Sequence, residues 1–294
     1  MEMQIKNNKN MMIALVSGGM ALLLLGVAYA GYNKKKNENS DTTSDVGLNT
    51  NTNDNNTTSN ENDNLEKEKT FKDIISNYLL ENTKKGLAKS ILFVGDSQVN
   101  GTIGSMGMPI FKNTFDISAN RWGKDGTTPS KIMALKNNEP SKFNDLKSKL
   151  QAKPSIVFIQ LGDNLVSNSS SIVSLMDFIL SMYPTNAKPL IIWSGAFPVC
   201  IPSSGNESYV HKAPRNSSDV RYLPNYNDEK RKTNTTILNG LSKYENNVIF
   251  FDPFVFYKQN DVFDPNAPFT RDGIHLLENT AKNYLIELLK TELN

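Results

Sequence analysis

A serine at position 97 stands where a nucleophile would be useful. The four apolar residues 91–94 predict a short buried strand, and Gly95-Asp96-Ser97 follows it directly as a tight turn. In parallel α/β sheets ligands bind at the carboxyl ends of the strands, so the Ser97 hydroxyl is expected at such an edge. A serine after a glycine is also a common turn residue or helix cap, and the tripeptide alone does not establish catalysis.

Two residues are candidates for the general base that would act on this serine, because the chain contains two histidines, His211 and His275. His275 follows Asp272 by three residues. In a turn that enters a helix, such a carboxylate can accept the Nδ1 proton and hold Nε2 toward a serine. His275 would then remove the Ser97 proton as a general base and return it to the leaving alcohol. His211 lies in a polar loop, where we expect it to be exposed to solvent, with contact to the substrate as the alternative.

Two further turns carry groups that could stabilise a negative oxygen. A strand predicted over 155–161 closes with the turn 162–164, and another turn surrounds Gly126. The backbone N–H groups of Ser97 and Gly126 and the side-chain amide of Asn164 would bind the oxyanion of a tetrahedral intermediate. One such donor is worth about 3–4 kcal/mol.

The elements that position these residues alternate along the chain. Short, continuously apolar strands between helices indicate a parallel sheet covered on both faces. The glycine-rich stretch 101–109 has low helix propensity and is predicted to be a loop. The predicted strands cover 91–94, 114–118, 155–161, 190–194 and 248–251, and the predicted helices cover 71–87, 132–150 with a break at Pro140, 172–182 and 276–289.

The order of the motifs resembles the SGNH (GDSL-like) hydrolase family. The motifs are Gly95-Asp96-Ser97, Gly126, Gly162-Asp163-Asn164 and Asp272-Gly-Ile-His275. The resemblance covers residues 88–292 and implies a three-layer α/β/α, flavodoxin-like fold with a mostly parallel five-stranded sheet. It also implies that Ser97 is the nucleophile, His275 the base and Asp272 its partner. Ser97, Gly126 and Asn164 would form the oxyanion hole, and no metal or organic cofactor would be needed.

Two features depart from the family pattern. The third motif of the family usually reads Gly-x-Asn-Asp, and Leu165 replaces the final Asp in this chain. This change weakens the support around Asn164 without removing its amide. The second motif is degenerate, so Gly123 competes with Gly126 as an oxyanion donor. Asp163 adjoins the site and is interpreted as a surface carboxylate.

A long irregular segment, 197–225, follows the fourth predicted strand and leaves from the sheet edge that carries Ser97. Long loops inside compact domains are usually functional or disordered, and this one could roof the site. Its aromatic and basic side chains suit sugar hydroxyls better than a long acyl chain. Four of them are predicted to bind substrate: Tyr209, Arg215, Arg221 and Tyr222.

Composition excludes several other classes of function. The formal net charge of +2 gives no support for a nucleic-acid partner, which would need a clustered basic face. The single cysteine, Cys200, excludes an intramolecular disulfide and a cysteine-rich metal site. We interpret it as a passive apolar residue.

The N-terminal part of the chain divides into three segments before the globular domain. Residues 1–10 form a short flank, and the uncharged, apolar stretch 11–31 is long enough to cross a bilayer as a single-pass helix or uncleaved signal. Residues 32–69 are rich in Asn, Thr, Ser, Asp and Glu and are predicted to be a disordered linker. The hydrolase-like domain is expected over 70–294.

The charges that flank the span leave its orientation open. Lys6 and Lys9 precede it, while the three lysines 34–36 follow it and favour a cytoplasmic C-terminal part. The tripeptide 28–30, Ala-Tyr-Ala, resembles a signal-peptidase site and favours export. We predict a single-pass membrane protein with an extracytoplasmic catalytic domain.

These observations predict a membrane-anchored serine esterase that hydrolyses short acyl esters through an acyl-enzyme. O-acetyl groups on a carbohydrate are the expected substrate, so the partner is an acylated small molecule or glycan. Alternatives are a lipid esterase or lipase, an acyltransferase, and a catalytically silent SGNH-fold protein with a binding or structural role. The sequence does not determine the oligomeric state.

Overall fold

One five-stranded sheet organises the chain. The computed structural model describes residues 11–17, 20–26, 69–202, 210, 219, 221–244 and 247–292. All neighbouring strands of the sheet are parallel, in the order β2-β1-β3-β4-β5, which is the flavodoxin-like order. The strands are β1 (Ala88–Gly95), β2 (Ser118–Gly123), β3 (Pro154–Gln160), β4 (Leu190–Ser194) and β5 (Val248–Phe251).

Helices cover both faces of this sheet. Side chains of α1, α3 and α8 pack on one face, and side chains of α4 to α7 pack on the other. The predicted three-layer α/β/α fold is therefore confirmed, with a sheet that is wholly rather than mostly parallel. The helices are α1 (Phe71–Lys84), α2 (Ser97–Asn100), α3 (Thr102–Phe115), α4 (Pro129–Asn138), α5 (Pro140–Gln151), α6 (Ser169–Ser181), α7 (Leu223–Leu241) and α8 (Glu278–Lys290), with 3-10 turns at Ser242–Tyr244 and Pro253–Phe256.

Apart from the edge strand β2, which is largely polar, the strands are apolar on both sides because each side meets a helical layer. Along β1, Ile91 and Phe93 enter one core cluster, whereas Leu92 and Val94 enter the other. Every residue of β3 is buried. Burial of each large apolar side chain contributes about 1.5–3 kcal/mol, so the sheet is fixed by its two cores.

The prediction of a loop over 101–109 is wrong, because these residues form most of α3. The glycines serve close packing. A Cβ on Gly107 would lie 2.7 Å from the ring of Phe93, and one on Gly104 would lie 1.9 Å from the carbonyl oxygen of Val99. The strand predicted over 114–118 lies further along the chain, because α3 continues to Phe115 and β2 begins at Ser118.

Helix α7 is an element that the apolar pattern did not predict. Its buried face is largely polar and includes Asn227, Lys230, Thr233 and Asn234 at helical spacing. These side chains bond to the loops that follow β3 and β4, at the carboxyl edge of the sheet. The helix therefore ends the irregular segment at Leu223 and supports the edge that carries Ser97.

The N-terminal segment differs from its prediction where the structure describes it. Met11–Ser17 and Met20–Gly26 run as two antiparallel strands, where the hydropathy predicts one continuous helix. Among the described residues, no helix has the length and apolar character needed to cross a bilayer. The linker up to residue 68 lies outside the described residues. Attachment to a membrane stays a prediction from the sequence.

Candidate active site

The turn after β1 places Ser97 at the carboxyl edge of the sheet. A Cβ on Gly95 would lie 2.3 Å from the carbonyl oxygen of Gln160, so only glycine allows β1 to end against β3 here. Asp96 then caps α2, and its Oδ1 accepts the N–H of Gln98 at 3.0 Å. Ser97 is consequently the first residue of α2 and is partly exposed.

The turn before α8 brings a carboxylate and an imidazole to that serine. Gly273 adopts a φ of +95°, which a glycine accommodates, and the turn closes with the N–H of Arg271 donating to the carbonyl of His275 at 2.9 Å. Asp272 Oδ2 lies 2.7 Å from His275 Nδ1, and His275 Nε2 lies 2.9 Å from Ser97 Oγ. The structure thus joins the three predicted catalytic residues in one hydrogen-bonded chain across 178 positions of sequence.

The charge state of Asp272 follows from its surroundings. Burial raises the pKa of this carboxyl, but hydrogen bonds from the backbone N–H and ring of His275 and the N–H of Ile274 outweigh it. The pKa of Asp272 therefore lies below its ordinary value. An ionised Asp272 accepts the Nδ1 proton, which leaves Nε2 as the acceptor for the Ser97 hydroxyl.

The turn after β3 also lies beside Ser97. Asn164 Nδ2 donates to Asp96 Oδ2 at 3.1 Å and to the carbonyl of Thr127 at 3.2 Å. It therefore links the residue before Ser97 to the residue after Gly126. The turns at 95–97, 123–128 and 162–165 converge as the motif order predicts.

The two candidate glycines of the second motif have different surroundings. A Cβ on Gly123 would lie 2.7 Å from the backbone nitrogen of Asn100, so Gly123 is packed against α2. Gly126 has a φ of +66°, and no heavy atom lies within 4 Å of its Cβ position. The space beside Gly126 is open to a ligand, and the space beside Gly123 is filled.

The interpretation of Asp163 as a surface carboxylate is wrong. Its side chain is 2% exposed and pairs with the fully buried Lys230, whose Nζ lies 2.8 Å from both Asp163 Oδ1 and the Asp163 carbonyl oxygen. Asp163 also accepts the N–H of Phe197 at 3.0 Å. Sequence reasoning missed this pair because α7 has no apolar repeat to reveal which of its lysines faces inward.

A second buried carboxyl lies beside the nucleophile. Asp96 is fully buried, and burial followed by the negative charge of Asp163 raises its pKa well above the ordinary value. The N–H of Gln98, the charge of Lys230 and the amide of Asn164 oppose this rise without cancelling it. Asp96 is therefore the group of the site whose ionisation costs the folded state free energy.

The irregular segment after β4 contacts the turn that carries Asp272 and His275, or the residues directly before it, where the structure describes the segment. The Sγ of buried Cys200 lies 3.1 Å from Thr270 Oγ1 and accepts the N–H of Phe269 at 3.3 Å. A Cβ on Gly273 would lie 2.8 Å from the side chain of Val210. Cys200 and Val210 of this segment therefore pack against the turn that carries Asp272 and His275 or the residues directly before it.

The predicted substrate-binding residues fall into two groups. Tyr209, Arg215 and the second histidine, His211, lie outside the described residues. Arg221 and Tyr222 lie at the entry to α7, where the N–H of each donates to Asp219. A role for these four predicted side chains in binding stays a prediction.

Comparisons with known proteins give similarity at the level of fold. No family model and no curated protein matches the sequence. An SGNH hydrolase from Slackia heliotrinireducens aligns over 69% of this chain and 98% of its own at 12% identity and a TM-score of 0.44. An acetylxylan esterase from Geobacillus stearothermophilus aligns over 71% of this chain and 97% of its own at 14% identity and a TM-score of 0.43. The periplasmic domain of a lipopolysaccharide acetyltransferase from Salmonella ser. Paratyphi A aligns over 75% and 88% at 15% identity and a TM-score of 0.46. Similarity at this level identifies no substrate.

Proposed function

We propose that this protein is a serine esterase of the SGNH hydrolase type that cleaves short acyl esters through an acyl-enzyme. One observation supports the proposal above all others: the hydrogen-bonded chain from Asp272 through His275 to Ser97, at the carboxyl edge of a parallel sheet. This arrangement has the geometry that a general base needs, since the proton to be removed lies within hydrogen-bond distance of Nε2.

The first half of the reaction forms the acyl-enzyme. Ser97 Oγ attacks the ester carbonyl carbon while its proton moves to His275 Nε2, and the Asp272 carboxylate stabilises the resulting imidazolium. The tetrahedral intermediate collapses when the alcohol leaves with the proton from Nε2. In the second half, His275 takes a proton from water, the hydroxide attacks the acyl carbon, and Ser97 recovers its proton as the acid departs.

In both tetrahedral intermediates, the N–H groups of Ser97 and Gly126 and the side-chain amide of Asn164 donate hydrogen bonds to the oxyanion. The open space beside Gly126 supports the choice of this residue over Gly123. The Asn164 amide donates to the neutral carbonyl of Thr127 at 3.2 Å in the free site. A negatively charged oxygen is a stronger acceptor than a carbonyl, so this amide hydrogen is available to it during the reaction.

The preference for a short acyl group rests on the surroundings of the site. Leu165 and Ile274, which adjoin Asn164 and His275, pack against a small apolar cluster of Val199, Val210 and Tyr226. We infer that an apolar cluster of this small size, adjoining Asn164 and His275, suits an acetyl group better than a long chain. The polar and aromatic composition of 203–222 supports a carbohydrate as the alcohol part, and the apolar stretch 11–31 supports anchoring to a membrane.

Labelling with a fluorophosphonate, followed by mapping of the modified residue, tests the proposal. We expect modification at Ser97 and hydrolysis of p-nitrophenyl acetate that falls by about 10⁴-fold or more in Ser97→Ala. Ser76→Ala, a serine on α1 that bonds the carbonyl of Lys72, is the matched control and should keep full activity. Activity that persists in Ser97→Ala would refute the mechanism, and absence of labelling would favour the silent scaffold.

The products identify the acyl acceptor and the preferred chain length. We expect faster turnover of acetyl than of octanoyl esters and release of free acetate from an acetylated oligosaccharide. Faster cleavage of the long chain would favour a lipase. Transfer of the acetyl group to an added glycan in place of its release to water would favour an acyltransferase.

A further inference from the structure

The residue directly after the nucleophile makes contacts that its position does not require. Gln98 is fully buried at the second position of α2. Its Nε2 donates to the carbonyl of Ile274 at 2.9 Å, and its Oε1 accepts the N–H of Leu276 at 3.4 Å. The hydroxyl of Thr102 also donates to Oε1, at 3.3 Å. One buried amide therefore bonds to the main chain on both sides of His275.

These contacts determine the path of the backbone through His275. The side chain of Gln98 offers one donor and one acceptor, as a peptide group in a neighbouring strand would. An ionised Glu of the same length lacks the donor and adds a charge, while Leu or Met lacks both groups. From the other side, Asp272 Oδ1 accepts the N–H groups of Ile274 and His275 at 3.1 and 2.8 Å. The turn is thus held by its own carboxylate and by Gln98.

We propose that Gln98 is a positioning residue that sets the distance between Ser97 Oγ and His275 Nε2. The reason is that Gln98 joins α2 directly to the turn that carries the base. The bond between Ser97 and His275 depends on a rotatable hydroxyl and a rotatable ring, and it does not by itself fix their backbones. Two main-chain contacts from the residue adjoining Ser97 do so. This inference rests on the proposed serine-esterase function.

The test compares Gln98→Met, which keeps the length of the side chain without its polar groups, with Gln98→Glu, which replaces the amide donor with a second carboxyl oxygen and adds a buried acidic group. Both are expected to lower kcat on p-nitrophenyl acetate by about 10- to 100-fold with KM changed less than about threefold. Amide hydrogen exchange in the peptide that contains 270–277 should accelerate by a similar factor. The control is Asn82→Leu, which removes a buried amide on α1 that bonds the carbonyl of Tyr78, and it should change neither quantity.

The outcomes separate this proposal from the function on which it rests. If the unmodified protein is not labelled by a fluorophosphonate at Ser97, the serine-esterase function fails and the proposal fails with it. If the protein is labelled and the folded Gln98 variants keep kcat, only the positioning role is overturned. It is also overturned if kcat falls while exchange over 270–277 is unchanged. If Gln98→Met does not fold, Gln98→Glu alone decides between these results.

Discussion

The buried pair of Lys230 and Asp163 makes the stability of the fold sensitive to the charge of either partner. Both side chains are removed from water, with exposed fractions of 0% and 2%, and Nζ lies 2.8 Å from Oδ1. At an effective dielectric constant of about 20, the attraction across this distance is about 6 kcal/mol, most of which is offset by the cost of desolvating both groups. The pair as a whole adds little net stability, but loss of one partner leaves a buried, uncompensated charge.

The perturbation is Lys230→Met, which keeps the approximate volume and helix propensity of the side chain and removes its charge. We expect the free energy of unfolding to fall by about 3–5 kcal/mol, the usual cost of breaking a buried pair. In a domain of this size that loss lowers the melting temperature by about 6–20 °C. Urea denaturation followed by circular dichroism measures the change.

Two controls show whether the charge is the cause. Lys232→Met removes a lysine from the same helix that pairs with Glu229 on the surface, and it should cost about 1 kcal/mol or less. Asp163→Asn keeps an oxygen that can accept the N–H of Phe197, so the double variant with Lys230→Met should recover about 2 kcal/mol relative to the sum of the single changes. Equal effects of Lys230→Met and Lys232→Met, or simple additivity in the double variant, would refute the reasoning.

Three other substitutions separate the roles of groups at the carboxyl edge of the sheet. Because the pKa of Asp272 is lowered, its stabilising contribution is present in full above the ordinary value of about 3.9 and is lost as the pH falls through the folded-state value. Asp272→Asn should remove this acid-range loss from urea titrations and lower kcat by about 10⁴-fold, and an unchanged acid limb would contradict the assignment. The pKa of Asp96 is raised, so its effect on stability has the opposite direction: stability is lost as the pH rises through the raised value. Asp96→Asn should reduce that loss. If the difference in unfolding free energy between the variant and the unmodified protein did not change with pH, this assignment would be wrong. Gly95→Ala places a methyl group 2.3 Å from the Gln160 carbonyl oxygen and should cost about 3 kcal/mol or more, whereas Gly86→Ala, with open space and a φ of +87°, should cost about 1–2 kcal/mol; equal losses would contradict the close approach.

Much of the fold was predictable because its signals are local. The strands at 190–194 and 248–251 were predicted at the residues where they occur, since a short run of apolar residues between two turns is typical of a strand buried on both faces. The helix α3 was not predictable in the same way. Its glycines lower the intrinsic helix propensity, and their benefit is close packing against the ring of Phe93 and the backbone of Val99, which the sequence does not display.

The residues of the candidate site likewise differ in how far the sequence predicts them. Ser97, Asp272 and His275 belong to short motifs at strand and helix ends, so the sequence indicated them and the structure brings them together. The contacts that hold these residues in place join partners that lie 67 to 178 positions apart in the sequence, such as Lys230 with Asp163 and Gln98 with Leu276. A polar residue that faces inward looks the same in sequence as one that faces water, and only its distant partner tells them apart.

The loops after β3 and β4 explain why the polar helix α7 is buried at this edge of the sheet. The loops after β3 and β4 carry backbone groups that no strand satisfies, and leaving such groups buried without partners costs free energy. Asn227 bonds the N–H and the carbonyl of Val199, and Asn234 does the same for Ala196. An apolar helix could not make these bonds. The low hydropathy that concealed α7 from sequence analysis is therefore what allows it to hold the edge of the sheet that carries Ser97 in place.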